Sequence, residues 1–199
     1  MLQLVLASTN ENKLVEFRRI AEPYPVKIIM AGDIGFGQEI EETGSSFAEN
    51  ALQKARRVHE FSRESYVIAD DSGLCVDALD GAPGIYSARF GSTLEKLAAA
   101  DRNALLLELM QDVPDSKRSA HFHCSIALIS PRSEENIFEG QLYGKILFAA
   151  SGKYGFGYDP IFMADNYPLS LAEVSDIEKD KISHRGLALR ACLDYLTKL

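Results

Sequence analysis

Cysteine is scarce. The 199-residue chain holds three, Cys75, Cys124 and Cys192, far apart in sequence. They offer neither C-x-x-C spacing nor an even count for a disulfide framework. They read as reduced, mostly buried thiols of a reducing compartment. Basic charge is also in deficit, with a net charge of -8 and a pI near 5.0. That excludes general nucleic-acid binding, which needs a basic face. A polyanionic small molecule is still an acceptable ligand if the positive charge is local or a metal supplies it. No apolar run reaches the ~18 residues of a membrane span. Met1-Leu2-Gln3-Leu4 lacks the basic start and long apolar stretch of a signal peptide. The cytoplasm is the expected compartment. Repeats, low-complexity segments and obvious linkers are missing too. What remains is 46% hydrophobic and 25% charged. That composition fits a soluble globular protein with a sizeable core, as one domain or two tightly packed lobes.

The apolar run Leu2 to Ala7 predicts a buried strand. The polar turn Ser8-Thr9-Asn10 follows, and Leu14, Phe17, Ile20 and Ala21 then fall at helical spacing. Val26 to Ala31 predicts a second strand after the breakers Pro23 and Pro25. Ser46-Phe47-Ala48-Glu49 matches a capping box and predicts a helix to about Phe61. Tyr66 to Ala69 reads as a short strand, and Gly81 to Gly84 as a turn. Ser92-Thr93-Leu94-Glu95 is a second capping box before a helix ending near Met110. Ala120 to Ser130 and Asn136 to Ile146 read as an antiparallel strand pair joined around Pro131. Gly152 to Pro160 is a structured loop. The chain ends in a helix from about His184 to Lys198, capped by Ser183. Interleaved helices and strands, with late antiparallel strands, indicate an α/β fold with a mixed sheet.

Unusual residues concentrate between these elements, where sites usually sit. Ser8 to Lys13 opens a helix, whose free N–H groups and dipole suit phosphate, with Lys13 adding a point charge. The plain alternative is an N-cap with a solvated lysine. Neither a Walker A loop nor a G-x-G-x-x-G fingerprint is present. Glu39, Glu41 and Glu42 precede the Ser46 helix, either as a solvated face or with one of them on a cation. Asp70-Asp71 follows the apolar Tyr66 strand, and two adjacent carboxylates are costly to hold together without a cation or a proton. Mg²⁺ takes one or two carboxylates plus waters and substrate phosphates. Phe156-Gly157-Tyr158-Asp159-Pro160 combines backbone freedom with aromatics able to stack on a base. Ser183-His184-Arg185, with Lys179 upstream, sets basic side chains against a helix dipole, a local conflict of the kind found at functional sites. A phosphate cradle, a metal site, a base platform and a donor cluster together describe a nucleotide enzyme.

With those residues in view, the sequence resembles the inosine triphosphate pyrophosphatase family, house-cleaning enzymes for non-standard purine nucleotides. The resemblance runs from Leu4 to the final helix. It is carried by Leu6 to Lys13, Glu42-Thr43-Gly44 with Phe47 to Ala51, Ala69 to Leu74, Gly81 to Arg89, Gly155 to Pro160, and Ser183-His184-Arg185. It implies an α/β fold with an elongated mixed β-sheet flanked by helices. Residues 1–199 then form one domain of two lobes with a central active-site cleft. It also implies Mg²⁺-dependent hydrolysis of ITP, dITP and XTP to the monophosphate and pyrophosphate, by a homodimer. By the same resemblance Ser8, Thr9, Asn10, Glu11, Asn12 and Lys13 hold the triphosphate, with Lys54 a further phosphate contact. Glu42 and Asp71 bind the metal, and Asp71 is also the general base. Ser72, Phe156, Gly157, Tyr158 and Asp159 touch substrate, and Lys179, His184 and Arg185 contact the base or phosphates. Many members carry glycine where this chain has Thr9, so the turn there is expected to differ, because threonine resists positive φ. Two competing readings are a pyrophosphatase of broader or pyrimidine preference and a regulatory nucleotide-binding module without catalysis. Against the second, Lys13, Glu42 and Asp71 are all in place.

Overall fold

The computed structural model describes residues 1–92 and 97–198. Strands β1 (Leu2–Leu6), β2 (Val26–Met30), β3 (Tyr66–Val76), β4 (Ser119–Ile129), β5 (Glu135–Ile146) and β6 (Phe162–Ala164) form one sheet in the order β2-β1-β3-β4-β5-β6. Helices are α1 (Glu11–Ala21), α2 (Phe47–Phe61), α3 (Ala99–Leu109), α4 (Asp176–Ile182) and α5 (His184–Leu196). β1 pairs in parallel with both β2 and β3, and β6 runs antiparallel to β5. The turn from Ile129 to Glu135 is too short for a parallel crossover, so β4 and β5 are a hairpin. The sheet is therefore mixed and the class is α/β, as expected.

The chain divides into two compact units. The first comprises Met1–Asp71, Cys124–Gly140 and His184–Leu199; the second comprises Ser72–His123 and Gln141–Ser183. In the first unit the two-residue period of the strands sends alternate side chains to opposite faces. Leu4, Leu6, Ile68, Ile126 and Leu128 pack with Leu14, Phe17 and Ile20 of α1 and with Leu189, Leu193 and Leu196 of α5. Val5, Ala7, Val67, Ala69, Ala127 and Ile129 pack with Ala51, Ala55 and Val58 of α2. The alanines of α2 let that helix lie close. In the second unit Leu74, Val76, Phe122, Ile146 and Phe162 enclose a core with Leu106 of α3, with Met110 just after that helix, and with Tyr158 and Ile161.

Three details depart from the sequence reading or add to it. β3 does not stop at Ala69 but continues to Val76, so Asp70 and Asp71 lie inside the strand rather than after it. The segment before Ser183 forms the short helix α4, capped by the Ser175 hydroxyl on the Glu178 N–H. α3 begins at Ala99 with no side-chain cap among the described residues, and the expected box at Ser92-Thr93-Leu94-Glu95 falls largely outside them. Among the described residues no helix is long and apolar enough to cross a membrane.

Candidate active site

β3 divides the acidic pair. Asp70 has the parity of Ile68 and reaches the α1 and α5 face; Asp71 has the parity of Val67 and Ala69 and reaches the α2 face. The two carboxylates therefore do not share a site, and the repulsion expected of adjacent aspartates is avoided by strand geometry.

Asp70 is buried in a charge-balanced chain. Its Oδ1 lies 3.0 Å from Lys13 Nζ, and its Oδ2 lies 3.1 Å from Arg185 Nε. Arg185 Nη1 in turn lies 2.7 Å from Glu16 Oε2. Burial works to raise the Asp70 pKa, but the Lys13 and Arg185 charges outweigh it and hold the carboxyl well below its usual range. Burial likewise works to lower the Arg185 pKa, and Glu16 and Asp70 reverse the effect. Two basic and two acidic side chains alternate along this chain, so each has a partner of opposite sign. The basic residue at the α5 N-terminus, odd in sequence, has its explanation in these carboxylates.

Asp71 has different company. Asn50 Nδ2 donates to its Oδ2 at 3.0 Å. Lys54 Nζ stands 3.5 Å from its Oδ1 and 2.6 Å from Glu42 Oε1. α2 supplies Asn50 and Lys54 four residues apart, on one helical stripe. Ser46 caps that helix by accepting the Glu49 N–H at 3.2 Å. The Gly44 N–H donates to Asn50 Oδ1 at 2.8 Å, tying the Glu42 segment to the same amide. Burial pushes the Asp71 pKa up and Glu42's charge adds to it, while Lys54 and Asn50 hold it back. A carboxyl lifted in this way is a better proton acceptor than an ordinary surface aspartate. The pair Glu42 and Asp71 already converges on one cation, the Lys54 ammonium. Among the described residues no cluster of three or more His, Cys, Asp or Glu is placed to hold an ion alone. An all-oxygen pair of this kind fits Mg²⁺, which fills its remaining positions with water and phosphate oxygens.

The Ser8–Lys13 segment turns from β1 into α1. Asn10 is the N-cap, accepting from the N–H groups of Asn12 at 3.0 Å and Lys13 at 3.4 Å. The Asn10 N–H donates to Ser8 Oγ at 3.1 Å. Thr9 stays out of the positive-φ region, so the threonine introduces no backbone strain. Thr9, Glu11 and Asn12 are exposed.

In the second unit the loop Gly155 to Asp159 is tightly tied. The Phe156 N–H donates to Asp159 Oδ2 at 2.7 Å. The same oxygen lies 2.5 Å from Lys179 Nζ, and that ammonium sits 4.8 Å from the centroid of the Phe156 ring. Tyr158 is buried, and its hydroxyl donates to the Ser87 carbonyl at 2.9 Å. Burial pushes its phenol up to about 12. Tyr158 is thus an anchor of the loop, while half-buried Phe156 presents the loop's other aromatic face. Ser72 is half-buried on β3.

The structure brings Lys13, Asp70 and Arg185 together, and separately Glu42, Lys54 and Asp71. It also groups Phe156, Asp159 and Lys179. Sequence reasoning passed over Glu16 and Asn50. Both carried a signal: a carboxylate among the apolar positions Leu14, Phe17 and Ile20, and an asparagine inside a helix it does not favour.

Known proteins resemble this chain along nearly its whole length. The family model described as Ham1 family matches residues 4–195. The dITP/XTP pyrophosphatase of Thermoanaerobacter pseudethanolicus is 45% identical over 197 residues, covering 99% of this chain and 98% of that protein. A HAM1 protein structure from Coxiella burnetii superposes with a TM-score of 0.89 at 40% identity, covering 100% of both chains. The Staphylococcus aureus Ham1 protein gives a TM-score of 0.86 at 35% identity, covering 98% of both.

Proposed function

The chain belongs to the Ham1 family, and from that premise we propose that it hydrolyses dITP, ITP and XTP to the monophosphate and pyrophosphate. The observation that carries the reading is the convergence of Glu42, Asp71, Lys54 and Asn50. It offers a metal-binding acid pair and a buried carboxylate with raised proton affinity in one place. The related dITP/XTP pyrophosphatase supports the substrate class.

Glu42 and Asp71 hold Mg²⁺, which when bound supplies positive charge for the phosphates and makes nearby water more acidic. Asp71 accepts the proton of the attacking water, and Asn50 fixes the orientation of that carboxylate. The water oxygen bonds to the α-phosphorus as the bond from that phosphorus to the bridging oxygen breaks. The electron pair leaves with pyrophosphate. Lys13 stabilises the charge that develops there, together with the Ser8 and Thr9 hydroxyls and the start of α1. Lys54 offsets the phosphate charge beside Asp71. Glu42 is preferred to Glu41 as the ligand because Lys54 holds it near Asp71, whereas Glu41 is exposed.

The loop Phe156 to Asp159 receives the base, with Phe156 stacking and Lys179 holding the loop through Asp159. His184 and Arg185 supply donors to the six-oxygen of hypoxanthine or xanthine. Adenine presents an amino group there, and an unsatisfied buried donor costs about 1–3 kcal/mol. ATP is therefore rejected, although GTP shares the six-oxygen and needs a separate basis for its exclusion. The three free thiols support a reducing compartment such as the cytoplasm, and the family resemblance supports a homodimer.

The test is pyrophosphate release from dITP, ITP, XTP, GTP and ATP with Mg²⁺, and again with EDTA. Expected are turnover of the first three, weak turnover of ATP, and none with chelator. Equal kcat/KM for ITP and ATP would overturn the base selectivity, and silence on every triphosphate would overturn the reaction.

A further inference from the structure

Asn103 lies on the buried face of α3, with an exposure of 6%. Asparagine is a poor helix former, and its short amide usually works at caps and turns. Here it sits mid-helix and faces away from the helix backbone: Nδ2 donates to the Gly157 carbonyl at 3.0 Å. Its Oδ1 is buried without a hydrogen-bond partner among the described residues. The amide orientation is set by chemistry, because only the NH₂ end can satisfy a carbonyl. A buried asparagine that leaves one end unsatisfied to hold one loop carbonyl is placed for the loop, not for α3.

Gly157 is the point where the loop needs holding. It has a φ of +65°, and Gly155 before it has +68°, a left-handed backbone that glycine alone adopts without cost. A Cβ built on Gly157 meets no atom of the described residues within 4 Å, so their packing does not fix this residue. The neighbouring residues have their own ties: Phe156 and Asp159 through Lys179, and Tyr158 through Ser87. The Gly157 carbonyl has Asn103. A trans peptide is planar, so its C=O and the following N–H point in opposite directions. By holding the Gly157 carbonyl, Asn103 fixes that peptide plane and aims the Tyr158 N–H away from α3.

We propose that Asn103 is a positioning residue for base recognition, setting the 157–158 peptide beside the Phe156 ring. The inference rests on the reading of this loop as the base-binding segment.

Asn103→Asp keeps the volume and replaces the donor by an acceptor when ionised. It is expected to raise KM for dITP roughly 5- to 20-fold, the usual range for one lost buried hydrogen bond. The kcat should stay close to wild type, and the dITP-to-dATP preference should shrink. The introduced carboxyl regains an O–H donor when it is protonated, so the KM ratio of variant to wild type should fall between about pH 8.5 and pH 6. Asn103→Ala should show the same KM defect without the pH recovery, with faster hydrogen exchange confined to residues 156–159. Thermal melts identify any variant that is simply unfolded, and the exchange of the remaining variant then decides. A loss that is merely structural lowers kcat through the active fraction and leaves KM, substrate preference and the pH ratio unmoved; that outcome overturns the proposal. If wild type itself leaves dITP intact, the reading of the loop fails instead.

Discussion

At the residue scale, neighbouring side chains of one type do different work because a strand separates them. Asp70 is fixed as an anion by Lys13 and Arg185 and has little proton affinity. Asp71, one residue on, is raised by burial and by Glu42. A general base needs the second environment and not the first. Asp71→Asn keeps the Asn50 and Lys54 neighbourhood in shape but removes the proposed proton acceptor and one proposed metal ligand. The expected result is a kcat at least about 10²-fold lower, with circular dichroism and melting temperature close to wild type. Near-normal turnover in this variant would remove Asp71 from the role of base. The sequence showed that two carboxylates stood together, and the family resemblance paired Asp71 with Glu42 but named no partner for Asp70. It did not show that they face opposite ways, because that depends on β3 running through them. The buried acids broke the apolar pattern that marks a strand, and their compensation by Lys13, Lys54 and Arg185 is long-range.

At the scale of elements, the strong periodic signals were legible and the compensated ones were not. α1, α2, β1, β2 and the β4–β5 hairpin follow from apolar spacing, caps and breakers. α4 and β6 were missed because each is short, although Ser175-Asp176-Ile177-Glu178 does carry a capping-box spacing. The placement of α5 against β5 depends on one small residue. A Cβ on Gly140 of β5 would stand 2.1 Å from the His184 carbonyl oxygen and 2.8 Å from the Ala188 nitrogen. Both are backbone atoms, so no side chain can swing aside. Gly140→Ala must push the start of α5 outward, and Arg185 moves with it. Overpacking of this kind costs about 1–3 kcal/mol. For a chain of this size that lowers Tm by roughly 2–12 °C. Activity should fall further than the melt alone explains, because Arg185 holds Asp70 and Asp70 holds Lys13. An unchanged melt together with unchanged kcat/KM would show that α5 does not depend on this contact.

At the scale of the whole molecule, the first unit is assembled from three separated stretches of chain, and the last of them is the C-terminal helix. Leu189, Leu193 and Leu196 of α5 close the core that Leu4, Leu6 and Ile68 begin. Fully burying a leucine side chain contributes about 1.5–3 kcal/mol. Three of them are comparable to the ~5–15 kcal/mol that holds an ordinary domain folded. Removing α5 also leaves Asp70 and Glu16 without Arg185, and breaking a buried ion pair by deleting one partner adds about 3–5 kcal/mol of destabilisation. A chain ending at Ser183 is therefore expected to lose the cooperative melt of the first unit and all turnover. Leu193→Ala provides a graded version: a cavity cost of about 2–5 kcal/mol should lower Tm by roughly 4–20 °C while kcat at 25 °C survives in the folded fraction. If the truncated chain melts like the full one and keeps its turnover, α5 is an appendage and the shared core is refuted. If it melts normally but loses only activity, the helix serves Arg185 alone. The energetics favour loss of both, because the residues that seal the core and the residue that pins Asp70 lie on the same helix.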